Sequence, residues 1–350
     1  MKLLENLGLG LEGRGANWPP RRLSLALQGG GSFGAFTWGV LDRLLEEPEI
    51  GFDTVSGTSA GAINAVLLAA GLAEAGPAAA RAKLKRFWER LSRTAAFGPF
   101  GAAAGFAPAS GTFSFWTRLL SPYQYNPLDL NPLRALINEE VDFDRLRLAA
   151  PIGLLIAATR VGDGRARIFR NAEISADSVL ASASLPLYHH AVTIDDVAYW
   201  DGGYSANPPL LDLVMESEAP DVLVVQITPM RSADVPTTSR DIIRRLDQIT
   251  FNASLQTEIS TLGWHAARSR GIFGLLSREG RKLRRLTLHR IAAEEEFTGL
   301  SEASANNLDW RFLSNLSDHG RAAAQAWLAN KETEPASLDL EQRLRTSFAP

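Results

Sequence analysis

The sequence predicts an α/β fold in which a central, mainly parallel sheet lies between two layers of helices. A pattern of strand, glycine-rich turn and helix occurs twice near the start of the chain, over residues 22–45 and 52–73. This repetition is typical of parallel sheets, in which each helix returns the chain to the edge where the next strand begins. A further strong strand pattern, Val222 to Ile227, follows a predicted helix near 208–216. Together these observations indicate a three-layer α/β/α architecture.

Hydrophobic periodicity predicts the individual elements. Residues 22–28 alternate and predict a strand, and the helix after the next glycines has an apolar face of Phe36, Val40, Leu41, Leu44 and Leu45. The remaining predictions are a strand at 52–56, helices at 60–73 and 77–91, strands at 151–160 and 165–169, a helix at 175–183, a hairpin of 191–194 and 197–200 around Asp195-Asp196, a helix near 208–216, a strand at 222–227, a long helix at 238–268, a strand at 284–291 and a last helix at 306–329.

The chain has neither an internal repeat nor a clear linker, so we predict one domain over residues 22–330. An N-terminal extension (1–21) precedes it, and a polar tail (331–350) follows. Residues 92–125 interrupt the pattern, with eight aromatic side chains and no acidic one. So long a stretch without periodicity is unusual inside a domain. It is either an irregular loop packed on the core or a lid over an apolar site.

Composition excludes several classes of function. The net charge of −3 shows no basic excess that would indicate nucleic-acid binding. The absence of cysteine excludes disulfides, thiol nucleophiles and thiolate metal sites. Histidines and acids show no metal-ligand spacing, so we expect neither a metal nor another cofactor. The N-terminus has no apolar signal segment, and the longest apolar stretch, 60–73, is too short to span a bilayer. The expected location is the cytoplasm.

Residues 57–61, Gly-Thr-Ser-Ala-Gly, form a G-x-S-x-G motif between a predicted strand and a predicted helix. This arrangement is the nucleophile elbow, in which the serine occupies a sharp, strained turn and its Oγ points into the site. Gly57 and Gly61 allow the turn to approach its neighbours. The helix that begins at Ala60 directs its free N–H groups at the developing oxyanion. The motif therefore predicts Ser59 as a nucleophile.

A second match occurs at residues 30–34, Gly-Gly-Ser-Phe-Gly, which makes Ser32 a rival nucleophile. We favour Ser59 because residues 57–61 form a tight turn, whereas the run Gly29, Gly30 and Gly31 is flexible and suited to presenting N–H groups. A serine esterase needs such donors as an oxyanion hole beside its elbow. The remaining alternative is that both motifs are structural turns.

The glycine run also contains the spacing of a dinucleotide fingerprint, at Gly29, Gly31 and Gly34. That fingerprint requires an acidic residue at the end of the second strand, but Asp53 lies at its start. No Gly-Lys-Ser/Thr follows, which argues against a phosphate loop. A nucleotide site is therefore disfavoured.

The serine needs a base, and the sequence offers two kinds. The five histidines lie in no distinctive motif; they are His189, His190, His265, His289 and His319. Asp201 ends a predicted strand and is followed by Gly202 and Gly203, so that its carboxylate can reach into a cleft with little hindrance. An ordinary Asp-Gly turn is the alternative.

Three segments resemble, in their order along the chain, the motifs of the patatin-like phospholipases: 29–34, 57–61 and 201–203. Ser182 with Pro186 also looks like the family's Ser-x-x-x-Pro element. The resemblance covers residues 22–208. Residues 126–134 and the region after 208 look similar to a bacterial branch of the family. The resemblance implies a patatin-like α/β/α fold.

The resemblance further implies hydrolysis of carboxylic esters in phospholipids or other acyl lipids through a Ser–Asp dyad. Ser59 would attack the carbonyl, Asp201 would take the proton, and water would cleave the acyl-enzyme. The oxyanion donors would be the N–H groups of Gly29, Gly30, Gly31 and Ala60. The supporting motif residues would be Gly34, Gly57, Gly61, Gly202 and Gly203. A carboxylate with an ordinary pKa of about 3.9 is a weak base, so we expect burial to raise the pKa of Asp201.

Phe33 departs from the family pattern, because many members carry a basic residue at this position. A neutral lipid or a simple ester is therefore more plausible than it would otherwise be. The alternatives are a non-lipid carboxylesterase or thioesterase, and a non-catalytic lipid-binding scaffold.

Residues 265–290 contain eight Lys or Arg and one acid, Glu279, around an apolar centre of Ile272, Phe273, Leu275 and Leu276. Such a segment can bind anionic lipid surfaces, although a solvated helix end is the common alternative. The candidate segments for peripheral membrane contact are therefore 92–125 and 265–290. The sequence does not predict an oligomeric state.

Overall fold

The computed structural model describes residues 18–97, 120–230, 235–268, 277–293 and 307–329. Within these ranges the chain forms one sheet in the order β5-β6-β3-β2-β1-β7-β8, and β4 also pairs with β3. The strands are β1 (Arg22–Leu27), β2 (Gly51–Thr58), β3 (Gly153–Arg160), β4 (Ala166–Arg170), β5 (Val192–Ile194), β6 (Val197–Asp201), β7 (Asp221–Gln226) and β8 (Thr287–Ala292). The central strands β3, β2, β1, β7 and β8 are parallel, whereas β4, β5 and β6 join by antiparallel pairing.

Helices connect the strands except in the antiparallel pairs β3–β4 and β5–β6, which are joined by turns. The helices are α1 (Gly34–Leu44), α2 (Ala60–Ala75), α3 (Pro77–Phe97), α4 (Pro122–Tyr125), α5 (Pro132–Glu140), α6 (Phe143–Ala149), α7 (Ala176–Ser182), α8 (Leu210–Glu216), α9 (Ser239–Arg268), α10 (Arg278–Arg285) and α11 (Trp310–Ala329). Single 3₁₀ turns occur at Gly31–Phe33, Asn171–Glu173 and Gly202–Tyr204.

Alternating side chains of the central strands face two separate apolar clusters, as the period of a strand requires. Leu25 and Leu27 of β1 belong to a cluster with α1, α2, α3 and α11. Ala26 faces the other way, into a cluster that includes Leu210 of α8 and Leu255 of α9. The sheet therefore has a helical layer on each side. The predicted three-layer α/β/α fold is confirmed.

The structure extends the predicted elements in a few places. Three short helices, α4 to α6, occupy the stretch between the predicted helix at 77–91 and β3. Proline begins two of them, and Asn131 and Asp142 cap α5 and α6 by accepting hydrogen bonds from N–H groups in the first turn. The predicted strand at 284–291 begins only at Thr287, because α10 continues to Arg285.

The predicted hairpin turn at Asp195-Asp196 is confirmed. Both residues have positive φ, at 48° and 61°, as a two-residue type I′ turn requires.

The last helix, α11, packs closely across α1. A Cβ at Gly39 of α1 would collide with the backbone of Ser317, and one at Gly320 of α11 would collide with the backbone of Phe36. Two glycines therefore allow the helices to touch through their main chains. Most of the predicted N-terminal extension, the predicted polar tail and residues 98–119 of the stretch 92–125, a loop or lid by its sequence, lie outside the described residues.

Candidate active site

Ser59 lies in the turn between β2 and α2, with φ 54° and ψ −123°. A side chain rarely adopts such a backbone conformation, and its strain is of the kind that clusters at functional sites. A Cβ at Gly57 would lie 2.6 Å from the Gly61 oxygen, and one at Gly61 would collide with the Leu27 oxygen. The glycine spacing thus lets β2, α2 and the end of β1 meet around the serine.

The backbone N–H of Ser59 donates a hydrogen bond to Ser182 Oγ at 2.9 Å. Ser182 is completely buried at the end of α7. This bond ties the elbow to a helix more than a hundred residues later in the chain. The next N–H, that of Ala60, belongs to the first turn of α2, where backbone donors have no partner within the helix.

Asp201 ends β6, next to the C-terminal end of β3, and its side chain is completely buried. Its Oδ1 accepts a hydrogen bond from the Gly203 N–H at 2.7 Å. Its Oδ2 is buried and has no hydrogen-bond partner among the described residues. The backbone is also held, because the Asp201 N–H donates to the Ser184 oxygen at 2.8 Å and its carbonyl accepts from Thr159 Oγ1 at 2.7 Å.

Burial raises the pKa of Asp201 from its ordinary value of 3.8 to about 7. The Ser59 hydroxyl and the Gly203 N–H act in the opposite direction, because both stabilise the charged carboxylate. The Ser59 hydroxyl is therefore close enough to Asp201 to lower the pKa of its carboxyl group, although Oδ2 has no hydrogen-bond partner among the described residues. Catalytic hydrogen bonds are often long in unliganded sites and shorten when substrate binds.

The glycine run follows β1 and packs directly on the elbow. A Cβ at Gly29 would lie 2.7 Å from the Thr58 oxygen and 2.8 Å from Ser59 Cβ. The Gly29 N–H donates to Asn207 Oδ1 at 2.7 Å, which removes Gly29 from the set of free oxyanion donors that the sequence predicted. No acceptor for the N–H of Gly30 or Gly31 is found among the described residues.

A cavity of about 90 Å³ opens beside the elbow. Both candidate serines, Ser59 and Ser32, contribute to its wall, but it is Ser59 whose hydroxyl acts on Asp201. The rest of the wall is mostly apolar and is formed by Ile63, Phe87, Trp88, Leu91, Leu133, Ala183, Leu185 and Leu308, with Gly31, Ala60, Tyr188 and His189.

Trp88 is held in the cavity wall by Asn64 of α2, the helix that follows Ser59. The Trp88 Nε1–H donates to Asn64 Oδ1 at 3.1 Å, and Asn64 Nδ2 donates to the Gly34 oxygen at 2.9 Å. A Cβ at Gly34 would lie 2.6 Å from that of Ala60. The absence of a side chain at Gly34 therefore allows the segments 29–34 and 57–61 to pack against each other beside the cavity.

The histidines are dispersed. His189 lines the cavity, whereas His190 stacks on Tyr123 with ring centres 4.1 Å apart. His289 pairs with Asp221 at 2.9 Å near the start of β7, at the opposite edge of the sheet from Ser59. His265 and His319 are exposed on α9 and α11.

Phe33 and Asp53 contact other parts of the fold and do not line the cavity. The ring of Phe33 lies 6.4 Å from that of Phe312 on α11, so this position contacts the last helix. Asp53 Oδ2 accepts hydrogen bonds from Ser217 Oγ at 2.8 Å and the Glu218 N–H at 2.7 Å, at the starting edge of the sheet. That position agrees with the expectation that Asp53 does not hold a ribose.

The described part of the basic segment lies at the edge of the sheet away from Ser59. In α10, Lys282 donates to the Met215 oxygen at 2.7 Å and Arg278 pairs with Glu218 at 3.3 Å, just before β7 begins. Ser59 follows the end of β2, so the two places are separated by roughly 20 Å, the length of a six-residue strand. The apolar centre of the segment, 269–276, lies outside the described residues.

A search against family models matches residues 25–214 to the patatin-like phospholipases, which is more than half of the chain. The chain belongs to the patatin-like phospholipase family. Family membership supports hydrolysis of lipid esters as its class of reaction. A curated relative, the uncharacterised protein YjjU of Escherichia coli strain K12, is 24% identical over 291 residues, which cover 81% of this chain and 74% of YjjU.

Solved structures similar to this patatin-like chain include two bacterial proteins. VipD from Legionella pneumophila has a TM-score of 0.43 and 15% identity, over 89% of this chain and 67% of VipD. ExoU, in its heterodimeric complex with SpcU from the type III secretion system of Pseudomonas aeruginosa, has a TM-score of 0.36 and 18% identity, over 94% and 79% of the two chains. With scores this low, the fold assignment depends on the sheet and the family match.

The sequence did not predict Asn207 as part of the site, and it indicated Ser182 only as part of a Ser-x-x-x-Pro element with no assigned contact. Asn207, completely buried, contacts Gly29, and Ser182 accepts from the Ser59 N–H. Asn207 could have been noticed as an amide between Ala206 and two prolines, in a segment that is otherwise apolar. Its partner is 178 residues away, so no local pattern reveals the contact.

Within the described ranges, no group of three or more His, Asp or Glu side chains is arranged to hold a metal ion. No helix in the same part of the chain is both long enough and apolar enough to cross a membrane.

Proposed function

We propose that this chain hydrolyses carboxylic esters of acyl lipids through a dyad of Ser59 and Asp201. One observation supports this most directly. A carboxylate with a pKa of about 7 and an unpartnered Oδ2 is buried within reach of a strained serine, and that serine lines an apolar cavity. A base whose pKa lies near neutral pH combines a useful ionised fraction with a strong drive to accept a proton.

In the proposed mechanism, Ser59 Oγ forms a bond to the ester carbonyl carbon while Asp201 Oδ2 takes the hydroxyl proton. The negative oxygen that results would be stabilised by the N–H groups of Gly30, Gly31 and Ala60, with the positive end of the α2 dipole behind them. When the carbon–oxygen bond to the alcohol breaks, Asp201 returns the proton to that alcohol. The acyl group remains on Ser59.

Deacylation would repeat these steps with water. Asp201 takes a proton from the water, whose oxygen bonds to the acyl carbon. The bond to Ser59 Oγ then breaks, and the proton passes to Oγ. The products are one fatty acid and one alcohol, and the enzyme returns to its starting state. No metal or other cofactor takes part in this scheme.

The apolar wall supports an acyl chain as the group bound next to Ser59, because its aliphatic and aromatic side chains would remove the chain from water. Phe33 contacts Phe312 and places no cation beside the glycine run. A lipid with a neutral head group therefore fits the proposal as well as a phospholipid does.

Membrane contact, if it serves catalysis, should occur at the edge of the sheet that carries Ser59. The basic helix α10 lies at the other edge, so binding through this helix would hold the site away from the bilayer. The region 92–125 is the better candidate on this ground, because it follows Leu91 in the sequence and Leu91 lines the cavity.

The test is a substrate panel of phospholipid vesicles, triglyceride emulsion, p-nitrophenyl esters and acyl thioesters, each with wild type and Ser59→Ala. The proposal expects release of fatty acid from at least one lipid, and loss of that release in the variant. Turnover of thioesters or of short esters alone would favour the alternative of a non-lipid esterase. No turnover of any member would favour a lipid-binding scaffold.

A further inference from the structure

The glycine run that would supply the oxyanion donors has no side chains of its own to fix its position. Gly29, Gly30 and Gly31 have no side chains to pack, and glycine has the largest conformational freedom of any residue. Gly31 has φ 61°, and Gly30 has φ 170° with ψ 35°. Donors of an oxyanion hole are effective only when they are fixed in advance, so contacts from elsewhere must fix them.

Asn207 supplies such a contact. Its Oδ1 accepts the Gly29 N–H at 2.7 Å, and its Nδ2 lies 3.4 Å from the Gly29 oxygen. One side-chain amide thus engages both peptide groups of the first glycine. Asn207 is completely buried, and water does not compete for these bonds.

Asn207 is itself fixed by α9. Its backbone N–H donates to Ser254 Oγ at 3.0 Å, and its Nδ2 donates to the Phe251 oxygen at 3.0 Å. Both partners lie on the inner face of the helix. Because Asn207 is bonded both to α9 and to Gly29, the position of this 30-residue helix determines where the glycine run lies.

The residue before the glycines is held by the same helix. Gln28 Nε2 donates to Asn252 Oδ1 at 2.9 Å, and Gln28 Oε1 accepts the Ile227 and Thr228 N–H groups at 2.9 and 2.8 Å. Asn252 lies between Phe251 and Ser254 in sequence. Residues 28 and 29 are thus both attached to one turn of α9.

The position of Gly29 in turn determines the distance between the glycine run and the nucleophile. Gly29 packs against the Thr58 oxygen and Ser59 Cβ, with no room for even a methyl group. A shift of Gly29 would therefore move the N–H groups of Gly30 and Gly31 relative to Ser59. Misplacement by about 1 Å is enough to reduce rates strongly.

We propose that Asn207 is a positioning residue that holds the glycine run against the Ser59 elbow and ties it to α9. This inference depends on the proposed function, because it assigns a role within that site. Asn207 touches no reacting atom; it acts through Gly29. It should therefore affect transition-state stabilisation more than binding of the substrate in its ground state.

The experiment compares Asn207→Ala with Asn171→Ala in the full chain. Asn171 is a matched control, since its side chain also bridges two backbone groups, the Leu154 N–H and the Ile152 oxygen, but at the starting edge of β3. For each variant we would measure kcat and KM on an ester that wild type hydrolyses, the rate of labelling by a fluorophosphonate, and the urea midpoint.

We expect Asn207→Ala to lower kcat by about 10- to 100-fold with KM changed less than about threefold, below the cost of losing a whole oxyanion donor. Fluorophosphonate labelling should slow by a similar factor, because the phosphonyl oxygen occupies the same hole. Asn171→Ala should shift the urea midpoint while keeping kcat within about twofold.

A kcat for Asn207→Ala that falls no further than that of Asn171→Ala at matched folded fraction would overturn the inference. If Asn207→Ala does not fold, Ser254→Ala is the milder variant, since it removes one support of Asn207. Hydrogen exchange of residues 28–31 in folded Ser254→Ala should then be faster than in wild type, and unchanged exchange would refute the coupling. Failure of the proposed function would show differently, as activity that survives Ser59→Ala.

Discussion

Replacing Asp201 with asparagine removes a charge from the interior of the domain and leaves the shape of the side chain unchanged. The structure predicts two consequences of opposite sign. The variant should lose ester hydrolysis, because an amide cannot accept the Ser59 proton. It should also become more stable than wild type at alkaline pH, because the carboxylate that burial disfavours is gone.

The magnitude follows from the pKa of Asp201, which burial raises from 3.8 to about 7. Between these values the folded protein binds more protons than the unfolded chain. The free energy of unfolding of wild type therefore falls as pH rises through this window and levels off above about pH 7. The loss is about 4 kcal/mol, at about 1.36 kcal/mol for each pKa unit.

The side chain of the Asp201→Asn variant would carry an amide N–H₂ in place of Oδ2, at a cost of about 1–3 kcal/mol if it finds no partner. That cost does not depend on pH. The difference in unfolding free energy between variant and wild type should consequently grow by about 4 kcal/mol from pH 4 to pH 8. The change with pH, rather than the value at any single pH, measures the burial of the charge.

The assay is urea unfolding of both proteins at about pH 4, 6 and 8, the range over which the change is expected, followed by tryptophan fluorescence. Profiles that run parallel over this range would refute the assignment of a raised pKa to Asp201. In the same proteins, kcat/KM of wild type should rise with pH to a plateau with an apparent pKa near 7, since the base acts when ionised. An acid limb near the ordinary carboxylate pKa of about 4 would contradict the same reasoning.

Three further changes test separate parts of the structure. Trp88→Ala should enlarge the apolar cavity and shift the preferred ester towards acyl chains longer by at least about two carbons, while lowering the free energy of unfolding by about 3–5 kcal/mol. A chain-length series of p-nitrophenyl esters measures the preferred acyl length. An unchanged optimum would show that the acyl chain binds elsewhere. Gly39→Ala should lower the free energy of unfolding by about 1–3 kcal/mol, because the new methyl group collides with Ser317. Gly162→Ala, whose Cβ meets nothing within 4 Å, is its control, and equal urea midpoints for the two would refute the close crossing of α1 and α11. Ser32→Ala should keep kcat within about tenfold of wild type, because Ser32 lines the cavity but is not the serine that lowers the pKa of Asp201. A loss of kcat as large as that of Ser59→Ala would instead indicate that Ser32 is the nucleophile.

The elements and the elbow could be predicted from sequence because their causes are local. The alternation of residues 22–28 produces β1, whose side chains divide between two apolar clusters. The spacing of Gly57 and Gly61 around Ser59 reflects collisions within one turn and with the adjacent strand. Patterns of this kind depend on neighbours a few residues apart, which a single sequence displays.

The remaining features depend on partners far away in the chain. The contact that occupies the Gly29 N–H comes from Asn207, and the acceptor of the Ser59 N–H is Ser182. For this reason the sequence predicted Gly29 as a free donor, whereas the structure assigns its N–H to Asn207. The environment of Phe33 likewise depends on Phe312 of α11, beyond the segment that matches the family.

The raised pKa of Asp201 could be anticipated only in direction. Its value depends on complete burial and on two opposing interactions, from Ser59 and Gly203. Burial of a carboxylate at a strand end follows from the packing of α7, α9 and β3 around it, which no local pattern specifies.

The proposed mechanism depends on Ser59 as the nucleophile and on Asp201 as its base. The most direct measurement is labelling of folded protein with a fluorophosphonate, followed by peptide mapping, in wild type, Ser59→Ala and Asp201→Asn. We predict one adduct on Ser59 in wild type, none in Ser59→Ala, and labelling slowed at least about 100-fold in Asp201→Asn, as expected for loss of a general base. An adduct on Ser32 in wild type, or an unchanged labelling rate in Asp201→Asn, would contradict this mechanism.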